Sequence, residues 1–156
     1  MNRLKNLVLV SGLVLATGAL FGFSSPHAAG AQAVPLCNGL VPTIVGAGFI
    51  PGTAGNDVIL GSPNPDTIDG RGGNDVICAL GGDDMVDGGA GNDTVFAGQG
   101  KDWVRGGDGN DTLFGNDNDD NLQGGAGDDY LNGGAHNFGD VCNGNAGLNT
   151  LVACNP

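Results

Sequence analysis

The chain has 156 residues and a net charge of −12, and all 17 of its acidic residues are aspartates. Beyond residue 33 the cations are Arg71, Lys101 and Arg105, so that part carries 3 − 17 = −14, which excludes nucleic acid and anionic membrane surfaces as partners. A merely solvated acidic surface would mix Asp with Glu, so the exclusive use of the shorter carboxylate, among 32 glycines, places carboxylates close to a tightly turning backbone.

The chain opens with Arg3 and Lys5, an apolar run from Leu7 to Phe23, and small residues ending in Ala31-Gln32-Ala33. This is the pattern of a secretory signal peptide spanning 1–33, cleaved after Ala33, and it predicts a secreted, extracellular protein. An uncleaved membrane anchor is the alternative, but the run falls short of the ~20 residues of a spanning helix. Pro35 and Leu36 stand where a lipidated Cys37 would need small residues before it. The remainder, 34–156, is enough for one domain and too little for a repeat array plus a separate catalytic domain.

From Gly52 to Asn132 the sequence repeats every nine residues, in nine units beginning at 52, 61, 70, 79, 88, 97, 106, 115 and 124. The sixth residue of every unit is aspartate: Asp57, Asp66, Asp75, Asp84, Asp93, Asp102, Asp111, Asp120 and Asp129. The eighth is always aliphatic, from Ile59, Ile68 and Ile77 through Val86, Val95 and Val104 to Leu113, Leu122 and Leu131. The fourth is glycine in seven units (Gly55, Gly73, Gly82, Gly91, Gly100, Gly109 and Gly127) and asparagine in the other two, Asn64 and Asn118. Both residue types tolerate positive φ.

Each unit thus reads as six turn-forming residues and a three-residue strand whose centre points inward. No unit can bury its single inward side chain alone, so the units must stack as an all-β parallel solenoid, two units to a coil, around a single file of aliphatics. Segments 34–51 and 133–156 flank the array as an N-terminal cap or lid and a C-terminal cap.

Stacking like charges at every corner would be destabilising without a cation to neutralise them. Ca²⁺ takes six to eight oxygen ligands, carboxylates and backbone carbonyls among them, and glycine-rich turns supply such carbonyls. Mg²⁺ demands tighter octahedral geometry and keeps its water, while zinc or copper would call for His or thiolate, and beyond residue 33 the only histidine is His136.

The pattern resembles the RTX, or haemolysin-type, calcium-binding repeat, G-G-x-G-x-D-x-U-x. Gly88-Gly89-Ala90-Gly91-Asn92-Asp93-Thr94-Val95-Phe96 matches it fully, as do the units starting at Gly106 and Gly124. The resemblance implies a right-handed parallel β-roll, with Ca²⁺ held between the turns of units n and n+2. Its ligands would be the nine sixth-position aspartates and the carbonyls of the seven fourth-position glycines. Ser62-Pro63-Asn64-Pro65 and Asn116-Asp117-Asn118-Asp119 depart from the pattern. About five to seven ions are expected: four on the edge of units 52, 70, 88, 106 and 124, one on the opposite edge, and two more at the irregular turns. The flanking Cys37-Asn38-Gly39 and Asp140-Val141-Cys142-Asn143-Gly144 also resemble those of small exported members of the family.

Four cysteines in a small exported domain read as two disulfides. Cys78, in the third unit, and Cys142, beyond the ninth, lie at least three coils or ~14 Å apart in a solenoid, outside the reach of a disulfide. That leaves Cys37 with Cys78 and Cys142 with Cys154. Asp69, Asp87 and Asp108 read as solvated surface. With one serine, one histidine and no glutamate beyond residue 33, and neither HExxH nor GxSxG, no zinc protease or serine hydrolase can be assembled, so no enzyme is expected. Calcium is the expected partner, and a cell-surface adhesive module using the roll as a rigid scaffold is the alternative. An ice-binding surface would need a flat repeated rank of Thr or Asn, and only Thr53 occupies an early turn position as Thr, which argues against ice.

The outward strand positions of one sheet are apolar, including Val58, Leu60, Val76, Cys78, Phe96 and Phe114. Residues 34–50, tethered through Cys37, are expected to cover that face as a lid; otherwise Phe96 and Phe114 would form a surface for self-association or another partner.

Overall fold

The computed structural model describes residues 35–135 and 139–155; the expected signal peptide and His136 lie outside the described residues. Every element is a β-strand, so among the described residues no helix is long and apolar enough to cross a membrane. Seven strands form one sheet: β1 (Ile44–Val45), β3 (Val58–Leu60), β5 (Val76–Gly81), β7 (Thr94–Gln99), β9 (Thr112–Asp117), β11 (Tyr130–Ala135) and β13 (Thr150–Val152). The other six form the second: β2 (Phe49–Pro51), β4 (Thr67–Asp69), β6 (Met85–Ala90), β8 (Trp103–Asp108), β10 (Asn121–Ala126) and β12 (Val141–Ala146). The chain alternates between sheets at every strand and all neighbours are parallel, which makes a parallel β-roll of about six coils.

Register is uniform through the array. Thr94 lies beside Thr112 and Trp103 beside Asn121, each pair 18 residues apart, so equivalent positions of alternate units stack in columns. The eighth-position aliphatics Ile59 to Leu131 are all at most 1 % exposed and form one continuous core. The core has a second inward file that the repeat pattern did not reveal. First-position residues also face inward, and where they carry a side chain it is Ala79 or Ala97, both fully buried. The expected three-residue strand is accordingly six residues long from β5 to β12, running from the seventh position of one unit to the third of the next. Only positions four to six turn the corner. Pro63, which has no N–H for the ladder, follows the short β3.

The ladder also runs beyond the nine units. At the N-terminal end Ile44 pairs with Ile59 and Ile50 with Ile68, so β1 and β2 form the first coil and continue the core. At the C-terminal end Asn121 pairs with Val141 and Tyr130 with Thr150, now 20 residues apart. The hydrogen-bonded register thus continues although the spacing there is two residues longer.

The two expected disulfides are present, with Cα separations of 5.6 Å for Cys37–Cys78 and 5.7 Å for Cys142–Cys154. The lid covers less than the expected extent. Cys37 is buried against Leu60 and Cys78, with Val58, Val76 and Phe96 packed around them, while the rest of the segment enters the first coil. Farther along the same face the aromatics cover one another: the Phe96 and Phe114 rings stack 5.0 Å apart and Tyr130 leans on Phe114 at 5.9 Å.

Stacking makes core burial depend on having a coil on both sides. Leu113 lies mid-column and is fully buried, whereas Leu151, in the last strand, is 47 % exposed. We expect Leu113→Ala to cost about 3 kcal/mol in calcium and Leu151→Ala about 1 kcal/mol or less, read from denaturant midpoints; equal losses would contradict the column.

Candidate functional site

The sixth-position aspartates sit where each corner returns to a strand, and all nine are buried, none more than 7 % exposed. One oxygen of each has a structural task. The backbone N–H of Asp57 donates to Asp75 Oδ1 at 2.9 Å, that of Asp75 to Asp93 at 2.8 Å, and the chain of bonds continues through Asp111 to Asp129. On the opposite edge Asp66, Asp84, Asp102 and Asp120 are linked in the same way. The backbone needs this bond: a buried N–H at a corner has no strand neighbour to donate to.

The second oxygen is different. Oδ2 of Asp75, Asp84, Asp93, Asp102, Asp111, Asp120 and Asp129 is buried and accepts no hydrogen bond. These seven atoms lie in two columns, one along each edge. Burial raises the carboxyls of Asp75, Asp102 and Asp111 from 3.8 to about 6, and those of Asp84 and Asp120 to about 7, although the N–H each accepts works in the opposite direction. Asp93 and Asp129 are raised for the same reason.

Glycine keeps the space around these oxygens open. A Cβ on Gly88 would lie 2.5 Å from Asp93 Oδ2 and 2.6 Å from the Gly106 carbonyl oxygen. At the fourth position, a Cβ on Gly91 (φ 126°) would run into the carbonyl oxygen of Gly73, so these carbonyls point along the stack. Gly73, Gly82, Gly91, Gly100, Gly109 and Gly127 share this left-handed conformation, and Asn118 adopts it at 82°, as does second-position Asn116 at 76°. The turn from Asn116 to Asp119 therefore keeps the regular geometry despite its composition.

Among the described residues no three His, Cys, Asp or Glu side chains converge on one point. A cation between coils would therefore be met by carboxylates of successive coils, with backbone carbonyls completing its shell. All-oxygen donors of this kind suit a hard cation of flexible coordination, calcium, and offer nothing to zinc. The buried oxygens without donors show that the residues present fit such an ion.

The two N-terminal corners do not share this arrangement. Gly55 and Asn64 are not left-handed, and Oδ2 of Asp57 and Asp66 already accepts protein donors: Thr53 N–H at 2.7 Å and its hydroxyl at 2.8 Å in one case, Ser62 N–H at 2.7 Å in the other. At the far end Asp140, fully buried, receives the N–H of Asp120 at 2.8 Å, and Asn149 receives that of Asp129 at 2.8 Å. Both lie outside the nonapeptide spacing and were missed for that reason. Of the outward aspartates, Asp87 lies 3.4 Å from Arg105 and Asp69 lies 3.9 Å from Arg71.

The family described as RTX calcium-binding nonapeptide repeat (4 copies) matches the chain over residues 51–86, 79–113 and 114–151. No curated protein and no solved structure matches it. With that match spanning the stacked aspartate corners, the chain belongs to the RTX calcium-binding nonapeptide repeat family.

Proposed function

We propose that this chain is an exported scaffold without catalytic activity, whose roll forms only when calcium occupies the two aspartate columns. The observation that carries this reading is the set of seven buried Oδ2 atoms with no donor. An ionised oxygen shut away from water without a partner opposes folding, and a divalent cation shared between coils reverses the sign of that contribution. The sixth-position aspartates from Asp75 to Asp129 would hold the ion, together with turn carbonyls such as those of Gly73 and Gly91. Calcium supplies only charge and coordination; the chain supplies a fixed stack of oxygens.

Other features agree. Each unit buries one large aliphatic for nine ordered residues, too little apolar surface to outweigh the entropy lost. The two disulfides suit an oxidising compartment, which supports export. The one serine beyond residue 33, Ser62, receives the Asn64 N–H at 3.3 Å within its own turn.

With a chelator at neutral pH we expect circular dichroism and amide spectra of an unfolded chain, and recovery of the roll on adding calcium; a chelated sample with a dispersed spectrum would refute the proposal. The pH dependence has opposite signs in the two states. Without calcium, carboxyls raised to about 6 or 7 by burial bind protons more tightly folded than unfolded. Their contribution is therefore fully present below about pH 4 and is lost as pH rises through about 6 to 7. With calcium, protons compete for the same oxygens, so affinity falls as pH drops through that range. Dichroism in chelator from about pH 4 to 8, beside calorimetric titrations with calcium at about pH 5 and 7.5, checks both signs.

A further inference from the structure

We infer that the ion array of each edge begins one coil in from the start of the nine repeats, because Thr53 and Ser62 lock Asp57 and Asp66 into hydrogen bonds that the later aspartates leave open. The inference rests on the calcium reading above and specifies which motif aspartates take part. It departs from the repeat pattern, which counted the corner of Asp57 among the regular ones and set that of Asp120 apart.

The molecule contains two kinds of corner. From the unit at 70 to that at 124, the second residue is left-handed in every case, as Arg71, Leu80, Gly89, Gly98, Gly107, Asn116 and Gly125, and the fourth is left-handed too. In the units at 52 and 61 neither position is. Thr53 and Ser62 hold the second position there, and a β-branched residue such as threonine is strongly disfavoured at positive φ. With the backbone turned the other way, Thr53 N–H and hydroxyl both point at Asp57 Oδ2, and the same hydroxyl receives the Gly55 N–H at 3.1 Å. Ser62 directs its N–H at Asp66 Oδ2, and Pro63 and Pro65 fix the corner around it. An oxygen already holding one or two donors has little to gain from an ion that must first displace them.

Among the nine motif aspartates, the free oxygens then occupy successive coils, bounding an interval between Asp75 and Asp93, Asp93 and Asp111, and Asp111 and Asp129 on one edge. On the other edge they do so between Asp84 and Asp102, and Asp102 and Asp120. That gives five sites divided three to two, where the sequence pattern divided five as four to one. Asp57 and Asp66 become part of an N-terminal cap that the protein closes by itself, next to the coil fastened by Cys37–Cys78.

Counting bound ions by native mass spectrometry on the disulfide-intact chain in calcium tests this. Asp57→Asn is expected to keep the wild-type count, because an amide oxygen still accepts from Thr53, whereas Asp93→Asn loses at least one ion. Thr53→Gly turns the first unit into Gly-Gly-Ala-Gly-Asn-Asp, restores the residue that accepts positive φ, and is expected to gain one ion. It keeps every aspartate, so it decides the matter even if Asp57→Asn does not fold. An ion lost from Asp57→Asn, or no gain in Thr53→Gly, overturns the inference. A wild-type chain that takes up no calcium overturns instead the reading beneath it.

Discussion

A carboxylate has two oxygens, and along most of this roll only one of them finds a donor within the fold. The bond from each sixth-position N–H to the aspartate of the next coil is what lets the backbone leave a strand, turn, and re-enter the opposite sheet without stranding a buried amide. Asparagine would serve that bond equally well, as Asn149 does for Asp129. What aspartate adds is the second oxygen, charged and enclosed. Enclosing a charged oxygen without a partner opposes folding in each coil where it occurs.

The remaining features serve that column. First-position glycine or alanine is small because a carboxylate oxygen and a carbonyl crowd its α-carbon, as at Gly88. Fourth-position glycine is left-handed because a carbonyl from the coil below occupies the space a side chain would need, as at Gly91. With both positions committed, the eighth is left as the carrier of large apolar side chains, so the core is a narrow strip rather than a volume. Such a strip fixes the register, since a one-residue slip would turn every aliphatic outward.

Much of this was legible in the sequence, because a strict period exposes any requirement that recurs identically. The aspartates Asp57 to Asp129, the aliphatics Ile59 to Leu131 and the parallel roll all follow from identity at fixed spacing, and the cysteine pairing follows from the length of the stack. Three things did not show. The six-residue strands were hidden because glycine pairs such as Gly88-Gly89 look like turn by propensity, although the parallel ladder continues through them even with Gly89 left-handed. Strands β12 and β13 were hidden because two inserted residues break a fixed period, while backbone pairing depends only on where strands meet. At Asp66 the departure showed as the prolines of Ser62-Pro63-Asn64-Pro65, but at Asp57 it was hidden because the pattern counts the aspartate and ignores the second-position side chain that decides whether its oxygen is free.

Each disulfide is confined to one end of the stack: Cys37–Cys78 joins the first coils, Cys142–Cys154 closes the last, and no covalent link spans the middle. The number of coils between them is therefore a free variable, subject to a parity rule. Successive strands alternate between sheets, so removing or duplicating 18 residues returns every later residue to its own sheet and edge. A change of nine would transpose them, moving Tyr130 off the face where it leans on Phe114 and exchanging the corners that end in Asp140 and Asn149. Lineages of such chains should vary in length by whole coils, with the half-coil steps missing.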